Sequence, residues 1–282
     1  MYVKKVSNLE ADTGSSCQRK PAMFFFQADD GIRELVRSRG LGDVYKRQAA
    51  SLESFLSEQA GKNQTLTESL SALIEIEYDA RKERTARTRL KLSGMPQAKY
   101  FEEFDLSWLK GGLTRERFEE LKSLAFVERK ENVLFLGPSG VGKTHLLLAI
   151  GQKACISGYT AYYMTCYEAI DSLIRAREQG RLRKRLTWLK KPHVLLLDEV
   201  GYEPLTPEQA HVFFQLINAR YETGSIIMTS NKPFSKWAEL MSDEAVATAM
   251  LDRLLHHAQV FSLKADCYRM KERLRVGAVG FE

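Results

Sequence analysis

Residues 131–145 read ENVLFLGPSGVGKTH. An apolar run, Val133 to Leu136, leads into Gly137, Pro138, Ser139, Gly140, Val141, Gly142, Lys143 and Thr144, and His145 opens an apolar helical stretch, HLLLAI. The pattern is G-x-x-x-x-G-K-[ST] in full, with a strand before it and a helix after it, which is the setting that lets it hold phosphate. The glycines let the backbone turn its N–H groups inward around phosphate oxygens, and the new helix adds its positive end. Lys143 is expected to bridge the β- and γ-phosphates, and Thr144 to place its hydroxyl on Mg²⁺. A glycine-rich turn that binds nothing would have no need of strand, lysine, hydroxyl and helix in register.

Outward from this loop, short apolar runs alternate with helical stretches: NVLFLG, TAYYMTC, HVLLLDEV, SIIMTSN and QVFSL. Strands that alternate with helices imply a parallel sheet covered on both faces, an α/β fold. The third run, LLLDE over 195–199, is a buried strand ending in two carboxylates. Asp198 at its tip can hold Mg²⁺ through water, and Glu199 can polarise the water that attacks a γ-phosphate. A kinase that passes phosphate to another substrate does not need that glutamate. Asn231, after the fourth run, could orient the same water, although asparagine at a strand end is also ordinary turn chemistry. Arg253, within AMLDRLLHHAQV, fits an arginine finger presented to the γ-phosphate of a neighbouring subunit; the plainer alternative is a surface face shared with Asp252. His256 and His257 read as surface or packing residues.

Charge points to a polyanionic partner. The 282 residues carry a formal net charge of +6, a balance that suits nucleic acid or acidic lipid. Two basic clusters carry it. Arg81, Lys82, Arg84, Arg87, Arg89 and Lys91 stand against Glu83 alone, and Arg175, Arg177, Arg181, Arg183, Lys184, Arg185, Lys190 and Lys191 stand against Glu178 alone. Such clusters can track phosphates, and neither contains a base-reading motif. Each could instead be a solvated helix face. Cys17, Cys155, Cys166 and Cys267 form no C-x-x-C pair and no histidine lies at metal-ligand spacing from them, which argues against a structural zinc site; scattered single cysteines fit a reducing cytoplasm. No run is long enough for a membrane span, and the N-terminus lacks signal-peptide order.

The first fifty residues stand apart. FFFQADDGIRELVRSRGLGDVYKRQ, over 24–48, is similar to a peptide encoded by translated sequencing-adapter DNA, so 1–50 is expected to be a non-native or disordered extension. A small helical N-terminal domain over 51–125, for partner or DNA contact, is expected to follow. It holds a short helix at 51–60, a long one from Thr65 with Glu68 at capping-box spacing, stop signals at Gly94 and Pro96, an aromatic patch (Tyr100, Phe101, Phe104, Trp108), and a helix from Thr114 to about Leu124. The nucleotide-binding domain covers 126–275, with a tail at 276–282.

GPSGVGKTH, LLLDEVGYEPLTPEQA, FFQLINARYETGSIIMTSNKPFSKW, LDRLLHHA and DCYRMKERLR together resemble the IstB-type ATP-binding proteins of bacterial insertion sequences, relatives of the DnaC helicase loaders in the AAA+ class. The resemblance spans roughly 51–275. The phosphate loop alone is generic; DEVGY-P-L, TSN-PFS-W and DRLLHHA are much more specific. It implies a P-loop AAA+ three-layer sandwich around a five-stranded parallel sheet. It further implies an ATP- and Mg²⁺-using ATPase that forms homo-oligomers on duplex DNA and guides a partner transposase (IstA-like) to its target. Lys143 and Thr144 then correspond to the Walker A pair, Asp198 and Glu199 to Walker B, Asn231 to sensor 1 and Arg253 to the finger. Arg269 corresponds to a late basic residue near nucleotide or DNA. Other readings remain open at this point: a replicative helicase loader, a P-loop small-molecule kinase, or a nucleotide-binding scaffold without turnover.

Overall fold

The structure, a computed structural model, describes residues 65–264. The helices expected at 51–60 and from 266, Arg269, Cys17, Cys267, the 1–50 extension and the 276–282 tail lie outside the described residues. The chain divides into two units, Met1–Glu77 and Tyr78–Glu282, and the division falls inside the first described helix, α1 (Leu66–Leu92).

α1 opens on the expected capping box. The Thr65 N–H donates to Glu68 Oε2 at 2.8 Å and the Glu68 N–H to Thr65 Oγ1 at 3.3 Å, which satisfies two of the donors a helix start leaves orphaned. In the first unit, Leu70 and Ile74 are 54% and 60% exposed, so their helical spacing marks a surface stripe. The helix stops before Gly94 and Pro96.

Within the second unit, β1 (Asn132–Leu136), β2 (Ala161–Thr165), β3 (Val194–Val200), β4 (Ser225–Ser230) and β5 (Ala258–Ser262) form one sheet in the order β2-β3-β4-β1-β5, every pair parallel. All strands therefore end at one edge. β3, β4 and β1 are neighbours, so the loops after Leu136, Val200 and Ser230 leave the sheet side by side. Strand alternation sends Val133 and Phe135 to one face and Leu134 to the other, and both faces are dry. This is why the strands read as unbroken apolar runs. On one face lie α2 (Arg115–Ser123), α3 (Ala125–Glu128) and α4 (Lys143–Ile156), packed on Val133, Phe135, Leu196, Ile227 and Phe261. On the other lie α5 (Cys166–Glu178), α6 (Leu182–Lys190), α7 (Pro207–Arg220), α8 (Trp237–Met241) and α9 (Glu244–Leu255), packed on Leu134, Leu195, Leu197, Ile226 and Met228. Each fully buried aliphatic side chain contributes about 1.5–3 kcal/mol. The basic stretch after β2 is two helices, broken where Gly180 adopts a φ of 66°.

One buried charge fastens this second layer. Arg220 is 1% exposed and donates to four carbonyls: Leu189 at 2.9 Å, Pro192 at 3.1 Å, His193 at 3.3 Å and Ser225 at 2.9 Å. Burial pulls its guanidinium down to about 10, still far above neutrality, so it stays charged and ties the end of α6 to the start of β4.

Candidate functional site

The loop between β1 and α4 needs glycine at both ends. Gly137 has a φ of 149°, and a Cβ there would lie 2.4 Å from the Leu263 carbonyl oxygen. Gly142, at φ 92°, is the N-cap of α4, and a Cβ there would lie 2.6 Å from the Phe104 ring. No other residue combines that backbone with that closeness. Lys143 folds along the loop, its ammonium donating to the carbonyls of Gly137 at 2.8 Å and Pro138 at 2.7 Å.

The end of β3 meets this loop. Leu197 pairs with Met228, but Val200 pairs with Ser230, so β3 holds one extra residue in a bulge. Plain alternation would turn Asp198 and Glu199 to opposite faces. The bulge, with Glu199 at φ 61°, lets both reach the same cleft, Asp198 buried and Glu199 exposed. A left-handed glutamate costs on the order of 1–3 kcal/mol, a strain typical of functional positions. Thr144 Oγ1 donates to Asp198 Oδ1 at 3.1 Å, so the loop hydroxyl and the strand carboxylate form one pair of hard oxygens. Glu199 makes no ion pair among the described residues.

Two residues that the sequence reading did not single out hold this pair. Thr229 in β4, 1% exposed, donates its hydroxyl hydrogen to Asp198 Oδ1 at 2.5 Å and accepts the Glu199 N–H at 2.9 Å. Tyr163 in β2 donates to Asp198 Oδ2 at 3.3 Å; burial, then the Asp198 charge, pushes its phenol up, which keeps it a donor. Tyr163 sits two residues and Thr229 one residue before a strand end, positions that look like core until the register is known.

The cleft has a volume of about 510 Å³. Ser139 to His145, Asp198, Glu199, Thr229 and Asn231 line it on the sheet side. Its other wall comes from the segment before β1: Gln97, Lys99, Glu103, Phe104, Asp105 and Trp108. The aromatic patch of the sequence therefore faces the phosphate loop. Phe104 stacks on Phe118 at 5.9 Å and meets the His145 ring at 5.4 Å, and His145 Nε2 hydrogen-bonds the Tyr100 carbonyl at 3.0 Å.

Arg253 is the predicted catalytic residue that the fold leaves outside this cleft. On α9, it donates to Asn218 Oδ1 at 2.8 Å and to the Ala249 carbonyl at 3.0 Å, and its guanidinium lies 4.9 Å from the Phe214 ring centre. It makes no ion pair with Asp252. The basic clusters are uneven. Arg87 pairs with Glu83 at 2.9 Å, Arg84 donates to the Ala80 carbonyl at 3.1 Å, Arg175 pairs with Asp171 at 3.0 Å and Arg177 with Glu208 at 3.2 Å. Arg185 turns inward to Ser172 Oγ at 3.2 Å and lies 4.7 Å over the Trp188 ring. Arg181, Arg183, Lys184, Lys190 and Lys191 are exposed with no ion pair among the described residues.

Comparison with known proteins settles the family. The profile of the IstB-like ATP binding proteins matches residues 43–276. The chain belongs to this family. It is 44% identical over 211 residues to the ATP-binding protein of insertion sequence IS5376 from Geobacillus stearothermophilus, covering 75% of this chain and 84% of that one. It is 43% identical over 228 residues to the ATP-binding protein of insertion sequence IS21 from Pseudomonas aeruginosa, covering 81% and 86%. Among solved structures, DnaI aligns with a TM-score of 0.50 at 23% identity, over 62% of this chain and 95% of that one, a likeness of fold. This IstB-like chain is thus an ATPase, built on a P-loop fold around a parallel five-stranded sheet. No helix among the described residues is long and apolar enough to cross a membrane.

Proposed function

We propose that the protein is an ATP-dependent helper of transposition, which assembles on duplex DNA and directs a partner transposase to its target. The observation that carries the reading is the meeting of Thr144, Asp198 and Glu199 in one cleft, in a chain whose relatives belong to insertion sequences. The loop N–H groups and the Lys143 ammonium would hold the β- and γ-phosphates. The Thr144 hydroxyl and Asp198 carboxylate are hard oxygen donors that fit Mg²⁺, which when bound would neutralise charge between those phosphates. Glu199, exposed in the cleft and without an ion pair among the described residues, would take the proton of the attacking water, and Asn231 would help orient that water.

Arg253 does not line its own cleft, so its service would be to a neighbour, in a homo-oligomer. Asn218, the Ala249 carbonyl and Phe214 hold the guanidinium on rigid helices, as a finger requires. Arg181, Arg183, Lys184, Lys190 and Lys191 would contact DNA phosphates; Arg84, Arg87 and Arg185 spend part of their hydrogen-bonding capacity within the protein.

The test is ATP turnover with and without duplex DNA. Turnover should rise with DNA, and the effect should weaken steeply with salt, as counterion release demands. Reversing charge at Arg183 and Lys184 should weaken binding to all sequences alike. Turnover indifferent to DNA, or a loss that depends on sequence, contradicts the reading.

A further inference from the structure

We propose a transition-metal site, for an ion of the zinc class, made by Glu222, His256 and His257. The chain brings these residues together from two places: Glu222 lies in the turn between α7 and β4, and the histidines follow α9. One ligand atom from each lies within 4.8 Å of the others, and all three residues are exposed. Around a tetrahedral ion with ligands at about 2.0–2.2 Å, donors stand roughly 3.3–3.5 Å apart. Closure therefore brings donors closer by up to about 1.5 Å, within reach of exposed side chains by rotation about χ angles. Two imidazoles and a carboxylate suit zinc, nickel, cobalt or copper rather than magnesium or calcium.

Two further features bear on the site. The Tyr221 hydroxyl lies 2.9 Å from His256 Nδ1, and an imidazole held by one nitrogen presents the other to an ion. Glu222 adopts a φ of 57° two residues past the end of α7, where glycine would sit without strain. That backbone turns a carboxylate towards the histidines where a residue chosen for the turn alone would be smaller. With three protein donors, the fourth position is left for water.

An ion held here would link the α7–β4 turn to the end of α9. α9 carries Arg253, and α7 carries the Asn218 and Phe214 that hold it. The site would thus brace the face that presents that guanidinium. It stands on three side chains and their geometry, so failure of the ATPase reading leaves it intact.

The experiment uses the full chain without a histidine tag. Zn²⁺ is titrated against a chromogenic chelator, and Co²⁺ is followed by visible absorption. One equivalent should bind, with the intense visible bands of a four-coordinate cobalt site and no thiolate charge-transfer absorption. His257→Ala and Glu222→Gln should each weaken binding by at least about tenfold, and Tyr221→Phe by up to about tenfold. The exposed His211→Gln should leave binding unchanged. Zn²⁺ should raise the melting temperature of the wild type and not of Glu222→Gln, whose exposed position leaves folding intact. Binding that survives both His257→Ala and Glu222→Gln, that His211→Gln weakens equally, or that shows thiolate absorption overturns the proposal.

Discussion

Thr229→Val removes one hydroxyl and keeps the side chain's shape. In the structure that hydroxyl gives its hydrogen to Asp198 Oδ1 at 2.5 Å and accepts the Glu199 N–H at 2.9 Å, at a site almost closed to water. A hydrogen bond to a charged group contributes about 1.5–3 kcal/mol. Asp198 Oδ1 keeps two other donors, Thr144 Oγ1 and the Glu199 N–H, both at 3.1 Å, so the loss should lie near the lower end, about 1.5–2 kcal/mol. Where that energy serves to hold Glu199 in its bulge, kcat falls about 10–30-fold. Nucleotide affinity should change little, because Lys143 and the loop are untouched. The assay is single-turnover phosphate release on duplex DNA, beside nucleotide binding by fluorescence and a melting curve. Thr229→Ser should recover most of the rate. A folded Thr229→Val with kcat within twofold of wild type refutes the reasoning.

Other expectations follow from single contacts. Gly142→Ala should abolish nucleotide binding, since its methyl group meets the Phe104 ring at 2.6 Å in a backbone alanine disfavours; equilibrium binding of labelled ATP checks it. Arg220→Met should cost about 3–5 kcal/mol by taking a charged donor from four carbonyls, which at about 2–4 °C per kcal/mol lowers the melting temperature by roughly 6–20 °C. Burial pushes the Cys166 thiol up to about 12 and raises that of Cys155 as well, so both should resist alkylation in the native protein at neutral pH and react once it is unfolded; peptide mass mapping distinguishes the two states. Arg253→Ala should bind ATP yet lose turnover on the order of a thousandfold, and mixing it with Lys143→Ala chains should restore some phosphate release.

The sequence made much of this legible because its signals are local. The phosphate loop, the five apolar runs and the cap at Thr65 each depend on residues a few positions apart, and each stands where expected. What stayed hidden depends on register and on distant segments. The bulge that turns Glu199 into the cleft comes from one unmatched residue between β3 and β4, and periodicity does not announce it. Thr229 reads as a small residue in a buried strand until Asp198 is placed beside it. Phe104 and Trp108 read as an aromatic patch, and only the path of the chain before β1 sets them against the loop. Charge counting likewise overstated the free basic surface, because Arg87, Arg175, Arg177 and Arg185 find partners at distances that composition does not reveal.

The central claim is that the cleft hydrolyses ATP through Glu199 while the protein sits on duplex DNA. Glu199→Gln tests it most directly, because the amide keeps the side chain's size and removes the base. The variant should bind ATP as the wild type does, release phosphate at least about a hundredfold more slowly, in keeping with the 10²–10⁴-fold that a positioned general base contributes, and persist on DNA as an ATP-bound assembly. Normal phosphate release by Glu199→Gln would contradict the account.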